Sequence, residues 1–109
     1  MHYKPTIGEK ALFRVILKLK TATECRNFLR DLLTLAELKE FANRWQVAQM
    51  LNKKVDYKTI RKETNMSSTT IARVGKWLAG GMGGYRLMLK RLGQNSADSH
   101  HNRETRLAV

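Results

Sequence analysis

Apolar residues recur at helical spacing along most of the chain, and no alternating pattern of the kind that marks a β-strand is visible. Outside the centre of the chain, four stretches predict helices, at about residues 8–19, 22–33, 35–51 and 85–92. The second of these places Cys25, Phe28 and Leu29 on one face, with Leu32 and Leu33 one turn further on. Together with two central helices described below, the pattern predicts an all-α fold of about six helices.

The first predicted helix is too apolar to bury only one stripe. Between residues 8 and 19, seven of twelve residues are apolar. A chain of 109 residues cannot build a core large enough to surround such a helix. The pattern therefore predicts that this helix is buried between two chains.

Three threonines mark the expected starts of the first three helices. Each is followed three residues later by a glutamate, as Thr6 with Glu9, Thr21 with Glu24, and Thr34 with Glu37. In such a capping box the hydroxyl and the carboxylate each accept an amide that the helix itself leaves without a partner. Three boxes at these intervals outline successive helices.

The centre of the chain, residues 56–79, reads as two short helices joined by a turn. Asp56 is suited to cap the first helix, predicted over 57–64, because its carboxylate accepts an orphan amide at a helix start. Asn65 tolerates the left-handed conformation that ends a helix, so the turn is predicted to begin there. The second helix, predicted over 67–79, has an apolar face at helical spacing formed by Ile71, Val74 and Leu78.

The second of these helices carries side chains that suit contact with DNA. Its first turn holds small or hydrogen-bonding residues, and cations follow: Ser68, Thr69, Thr70, Ala72, Arg73 and Lys76. A helix that enters the major groove needs a slim end to approach base edges and cations to reach phosphates. We predict phosphate contacts from Lys58, Arg61 and Lys62 on the preceding helix and from Lys76. This is a helix-turn-helix pattern, and the alternative is an ordinary helical hairpin whose polar face is solvated.

The charge balance favours a polyanionic partner. Lysines and arginines number 21 against 9 acidic residues, which gives a formal net charge of +12. Between Arg44 and Arg91 the count is 11 bases against 2 acids, so the excess coincides with the helix-turn-helix pattern. Nucleic acid is the first candidate for such a surface, the alternative being a basic protein whose charge serves no partner.

The remaining features argue against catalysis and secretion. Cys25 is the only cysteine, which excludes an internal disulfide and agrees with a reducing cytoplasm. We expect a cytoplasmic protein, since no signal peptide or membrane-spanning apolar run is visible. No nucleophile, base and orienting group can be assembled, and the histidines lack companions for a metal site. The glycine-rich run at 80–84 lacks the pattern of a phosphate loop and predicts a hinge. We predict a protein that is not an enzyme and holds no cofactor or metal.

Three stretches together resemble the Trp repressor superfamily, and most closely its YerC/YecD-like branch. They are LLTLAELKEFANRW at 32–45, DYKTIRKETNMSSTTIARV at 56–74 and LAGGMGGYRLML at 78–89. The resemblance spans about residues 7–92. It implies an all-α bundle with a central helix-turn-helix, assembled as an intertwined homodimer. The domain is accordingly expected over 1–92, followed by a tail at 93–109 whose lack of apolar periodicity predicts disorder.

By this resemblance, Ser68, Thr69 and Ala72 match positions that face DNA bases. Lys58 and Arg61 match positions on the preceding helix that approach the DNA, largely at its phosphates. The implied partner is double-stranded DNA, and a dimer implies an operator with two-fold symmetry.

The resemblance also locates a possible effector pocket. In the tryptophan-sensing branch two arginines hold the amino acid, matched here by Arg44 and Arg73, and Thr34 matches a threonine at the pocket's edge. That branch has a glycine where this chain has Val74, and a small serine where it has Trp77. The larger side chains occupy volume that a bound amino acid would need. We therefore predict that the pocket is filled by the chain's own side chains and that tryptophan is not a corepressor.

Two functions follow from these observations. The first is a dimeric, sequence-specific DNA-binding transcriptional regulator of the repressor type that needs no tryptophan. The alternative is a general nucleic-acid-associated or RNA-binding accessory protein that uses its charge without reading bases. The alternative draws support from the smallness of Ser68, Thr69 and Ala72, which offer few bidentate contacts to bases.

Overall fold

The computed structural model describes residues 2–94, and this part of the chain contains helices and turns but no strand. Its helices are α1 (Ile7–Ile16), α2 (Ala22–Leu32), α3 (Leu35–Asn52), α4 (Tyr57–Thr64), α5 (Ser68–Gly80) and α6 (Gly84–Arg91). The prediction of an all-α fold with about six helices is confirmed. Of the predicted tail, residues 95–109 lie outside the described residues. The chain divides into two compact units, Met1–Lys39 and Glu40–Val109.

In the first unit, threonine caps start the helices as predicted. The Thr6 hydroxyl accepts the Glu9 amide at 3.1 Å, and the Glu9 carboxylate accepts the Thr6 amide at 3.0 Å. The box at the start of α3 has the same two bonds, at 3.1 and 2.9 Å. At α2 the Thr21 hydroxyl caps Glu24, but the carboxylate accepts the amide of Lys20 rather than that of Thr21.

The end of α1 differs from the prediction. The helix stops at Ile16 instead of continuing to residue 19. The Leu17 amide still bonds four residues back, to the Phe13 carbonyl at 3.3 Å. The amides of Lys18 and Leu19 then bond to carbonyls three residues back, at 3.0 and 3.1 Å, so the chain tightens into a turn. Apolar periodicity could not reveal this end, because the turn residues Leu17 and Leu19 are themselves apolar.

The first unit does not bury its apolar side chains. No residue of α1 or α2 is buried. Ile7 at the start of α1 and Leu17 just after its end are 86% and 82% exposed, and Phe13, Val15 and Ile16 within the helix are also exposed. Such a concentration of exposed apolar area is unusual in a monomeric protein.

The second unit has a small core contributed by four successive elements. Its buried members come from α3, α4, the following turn and α5: Val47, Ala48, Ile60, Met66, Ile71 and Val74. Trp45 and Tyr85 pack at its edge, with their rings stacked at a centroid distance of 6.2 Å. This core joins the two helices of the helix-turn-helix to the C-terminal part of α3, so their relative positions are set by buried side chains.

A Schellman motif connects α3 to α4. The Lys54 amide bonds to the Leu51 carbonyl, and the Val55 amide bonds to the Met50 carbonyl, both at 3.0 Å. Lys54 occupies the left-handed position of this motif with φ of 65°. A lysine is an uncommon residue there, because its Cβ crowds the backbone where glycine would not.

Candidate nucleic-acid interface

Local hydrogen bonds fix the helix-turn-helix at each of its ends. The Asp56 carboxylate accepts the Thr59 amide at 2.7 Å and starts α4. This bond holds the pKa of Asp56 below its usual value, because an accepted backbone hydrogen bond stabilises the charged form. Asn65 ends α4 in the left-handed conformation, with φ of 58° and ψ of 25°. The Ser67 hydroxyl then accepts the Thr70 amide at 3.1 Å and starts α5.

The turn itself is braced from inside by Thr64. Its buried hydroxyl donates to the Ile60 carbonyl at 2.7 Å and accepts the Met66 amide at 3.3 Å. The same side chain thus ties the last turn of α4 to the residue that precedes the cap of α5. The sequence patterns did not single out Thr64. The sequence signal for this role is its spacing: a threonine hydroxyl in a helix can reach the carbonyl four residues back, which here belongs to Ile60.

The side of α5 away from the core carries the residues predicted to meet DNA. Five residues on this side are exposed: Ser68, Thr69, Ala72, Arg73 and Lys76. At 3.6 residues per turn, these five positions cover an arc of about 140° around the helix. Ile71 and Val74 are buried on the opposite side of the helix. The predicted division of α5 into an inward apolar face and an outward polar face is therefore the observed one.

The cations of α4 converge on the turn. Lys58, Arg61 and Lys62 are exposed and line a shallow cavity of about 580 Å³ together with Asn65, Met66 and Ser67. No carboxylate is among these lining residues. The four residues predicted to contact phosphates include these three and Lys76, and all four are open to an approaching polyanion.

Two of the residues matched to an effector pocket, Arg44 and Thr34, have partners of their own. Arg44 lies 3.4 Å from the Glu40 carboxylate, and its guanidinium carbon is 5.6 Å from the centre of the Phe41 ring. The Thr34 hydroxyl is engaged in the cap of α3. Arg73 is exposed on α5.

The two enlarged side chains of the matched pocket differ in their surroundings. Val74 is 4% exposed and belongs to the core. Trp77 is 41% exposed and lines an open apolar cavity of about 500 Å³ with Trp45, Tyr85 and Met88 among others. Val74 is therefore the enlarged residue that fills interior volume, while the indole of Trp77 covers a more open surface.

A further contact links the C-terminal end of α5 to α6. The Arg86 guanidinium donates from Nε to the Leu78 carbonyl at 2.9 Å and from Nη2 to the Ala79 carbonyl at 3.2 Å. These are two of the carbonyls that a helix leaves without an internal partner at its end. The sequence offered no signal for this contact, because nothing local links an arginine after a glycine-rich run to a preceding helix.

Neither a metal-binding cluster nor a membrane span is found among the described residues. Among residues 2–94 no group of three metal-binding side chains is close enough to hold an ion. No helix in the same range is long and apolar enough to cross a membrane.

Comparison with known proteins identifies the family. The family model described as Trp repressor protein matches residues 8–93. The protein named "Uncharacterized protein YerC" from Bacillus subtilis (strain 168) is 39% identical over 88 residues, which is 81% of this chain and 85% of that protein.

Two solved structures have the same fold. A crystal structure from Staphylococcus aureus, described provisionally as a Trp repressor, has a TM-score of 0.79 at 34% identity and covers 84% of this chain and 92% of its own. The TrpR like protein from Eubacterium eligens ATCC 27750 also has a TM-score of 0.79, at 35% identity, over 84% of this chain and 94% of its own. The chain therefore belongs to the Trp repressor family, and within it to the YerC branch.

Proposed function

We propose that this protein is a homodimeric, sequence-specific DNA-binding regulator of transcription, acting as a repressor without tryptophan as corepressor. It inserts the helix at 67–79 into the major groove. The observation that carries this proposal is the exposed face of α5. Its first turn presents Ser68 and Thr69, while the opposite side is fixed by the core.

The size of the side chains on this face suits close approach to base edges. Ser68, Thr69 and Ala72 are small, so the backbone of α5 can come near the floor of the groove. The hydroxyls of Ser68 and Thr69 can donate to or accept from a base edge directly or through water. Membership in the Trp repressor family supports this mode of docking, which is established for the Trp repressor itself.

The cations flanking this face account for affinity that does not depend on sequence. Lys58, Arg61, Lys62 and Lys76 are exposed beside or on the recognition helix. Each phosphate neutralised by such a residue releases counterions, which adds about 0.9 to the slope of log affinity against log salt concentration.

A dimer explains the exposed apolar surface of α1. Because this helix buries none of its residues and exposes Ile7, Phe13 and Ile16, its apolar area needs a partner. A second copy of the chain is the partner that the family relationship supports. Two copies present two recognition helices, and the operator is then a palindrome.

Independence from tryptophan is supported by Val74 and Arg44. Val74 stands where the tryptophan-sensing branch has a glycine, and its isopropyl group packs in the core. Room for an indole at that position would require the core to open, which close-packed interiors resist. Arg44 is engaged by Glu40 and Phe41 on its own helix.

The test is a selection of bound duplexes from a random pool, run with and without tryptophan. We expect a palindromic motif that tryptophan does not change. Tight, salt-sensitive binding without any motif would instead establish the accessory protein, and a motif found only with tryptophan would refute independence from it.

Two variants separate base reading from phosphate binding. Arg61→Ala should weaken binding to all duplexes about equally and lower the salt slope by about 1. Thr69→Ala should change the preference among sites while leaving that slope unchanged. If both variants have the same effect, α5 does not read bases.

A further inference from the structure

A third cavity lies beside the C-terminal half of α5, beyond the first turn that carries the predicted base-facing residues. Its volume is about 480 Å³, and its walls come from the C-terminal end of α3, the C-terminal half of α5, and α6. Leu78 in its wall is ten residues beyond Ser68, or about 15 Å along the helix axis. The cavity is therefore separate from the groove beside the turn and from the base-facing end of α5.

Three cations from two segments line this cavity. They are Lys54 from the turn after α3, and Arg86 and Lys90 from α6. No aspartate or glutamate is among the described residues that line it. Within residues 2–94 the structure contains one ion pair, between Glu40 and Arg44. No carboxylate in this range therefore pairs with Lys54, Arg86 or Lys90. Like charges gathered without a counter-charge repel one another, and a bound anion relieves that repulsion.

The Arg86 guanidinium is held in place before any ligand binds, and the backbone of Lys54 is fixed. Arg86 donates two of its five N–H groups to the carbonyls at the end of α5, which leaves three for a ligand. Lys54 projects from a backbone fixed in the left-handed conformation by the bond from its amide to the Leu51 carbonyl. Because the backbone that carries each side chain is fixed, binding a ligand costs less conformational entropy.

The rest of the wall is mixed: Asn52 and Gln94 are polar, and the larger apolar side chains are three leucines. Leu51, Leu78 and Leu89 line the cavity, and Leu89 is 2% exposed. A free phosphate or chloride ion would gain nothing from these three leucines, whereas an organic anion would bury its apolar body against them. The volume is in the range of small-molecule sites, which run from about 300 to 1,000 Å³.

We propose that this cavity binds a small organic anion whose carboxylate or phosphate is held by Lys54, Arg86 and Lys90 and whose apolar body lies against Leu51, Leu78 and Leu89. The site does not depend on the proposed role in transcription, because its test uses the free protein without DNA.

The probe for this site is 2-naphthoate, with uncharged 2-naphthamide as the matched control and inorganic phosphate as the plain anion. For a ligand of this size, ordinary efficiency gives a Kd of about 1 mM. We expect 2-naphthoate to shift the NMR signals of the Gly75 amide and of the Leu51, Leu78 and Leu89 methyl groups. Neither 2-naphthamide nor phosphate should shift them comparably at the same concentration.

Two variants on α6 complete the test. Lys90→Gln should weaken the binding of 2-naphthoate by about threefold, the usual effect of one exposed cation. Arg91→Gln removes the same charge from the neighbouring exposed residue, which does not line the cavity, and should leave the affinity unchanged. Both positions are exposed, so folding is not expected to change.

Several results would overturn the proposal. Equal binding of 2-naphthamide would show that charge is not recognised, and equal binding of phosphate would show that the apolar wall contributes nothing. Equal weakening by the two variants would reduce the effect to net charge. Shifts confined to Trp45, Trp77 and Met88 would place the ligand in the other apolar cavity.

Discussion

Two adjacent glycines at the end of α5 should respond in opposite ways to the same substitution. Gly80 is the last residue of α5, and a Cβ built there meets nothing within 4 Å. Gly81 follows it, and a Cβ built there lies 2.6 Å from the Trp77 carbonyl oxygen and 2.7 Å from Cε3 of the Trp77 ring. Both contacts are far inside van der Waals distance, and one of them is to backbone.

The magnitudes follow from these distances. Gly80→Ala should stabilise the protein by about 0.5–1 kcal/mol, because alanine restricts the unfolded chain and suits a helix. Gly81→Ala gains the same entropic term but must move the Trp77 ring and lengthen the 2.9 Å bond from the Gly81 amide to the Trp77 carbonyl. Crowding of this kind costs about 1–3 kcal/mol against an entropic gain of about 0.5–1 kcal/mol, so the net effect should be destabilising by up to about 2.5 kcal/mol.

The assay is urea unfolding followed by circular dichroism, with both variants and the parent at one protein concentration. A fixed concentration matters because the stability of an oligomer depends on it. Tryptophan fluorescence, which comes from Trp45 and Trp77, adds a second readout; the contribution of Trp77 should change for Gly81→Ala and not for Gly80→Ala. If the two variants are equally stable, the packing at Gly81 does not constrain the chain and the reasoning fails.

Three other substitutions test contacts around the helix-turn-helix. Thr64→Val keeps the shape of the side chain but leaves the buried Met66 amide without its acceptor, and should destabilise the protein by about 1–3 kcal/mol in urea unfolding. Thr64→Ser keeps the hydroxyl and should restore most of the lost stability. Arg86→Gln should speed hydrogen exchange in the last turn of α5, which Arg91→Gln should not. The pKa of Asp56 is lowered on folding from about 3.8, so its charged cap stabilises the protein above that pH and is lost as the pH falls through the lower folded value. The stability difference between Asp56→Ala and the parent should therefore be constant near neutral pH and shrink in acid; a difference independent of pH would contradict the assignment.

The structural features that were predicted correctly from the sequence are those formed by residues close together in the chain. The caps at Thr6, Thr34 and Asp56 depend on side chains within three residues of the amides they accept, so the sequence contains all the information needed. The left-handed conformation of Asn65 is likewise a property of that residue type. The bounds of α4 coincide with the prediction because both of its ends carry such signals.

The features that sequence patterns missed depend on residues distant along the chain. Gly81 was interpreted only as part of a hinge, whereas its closeness to the Trp77 carbonyl and ring gives it a steric role. Arg86 contacts carbonyls seven and eight residues earlier, across a turn whose path no local pattern specifies. The third cavity needs Lys54 and Lys90 to line the same space, and this arrangement exists only once α3 and α6 have packed.

The position of Arg86 determines how a defect in DNA binding should be interpreted. α5 carries the proposed base contacts at its first turn, core residues at its middle, and carbonyls held by Arg86 at its end. Loss of Arg86 can therefore weaken DNA binding by letting α5 shift, without any loss of a phosphate contact. Salt dependence separates these causes, because a lost phosphate contact lowers the slope by about 0.9 whereas a displaced helix leaves it nearly unchanged. We expect Arg86→Gln to weaken binding and relax the preference among sites at an unchanged slope, in contrast to Arg61→Ala. A lowered slope for Arg86→Gln would instead mean that Arg86 contacts the DNA itself.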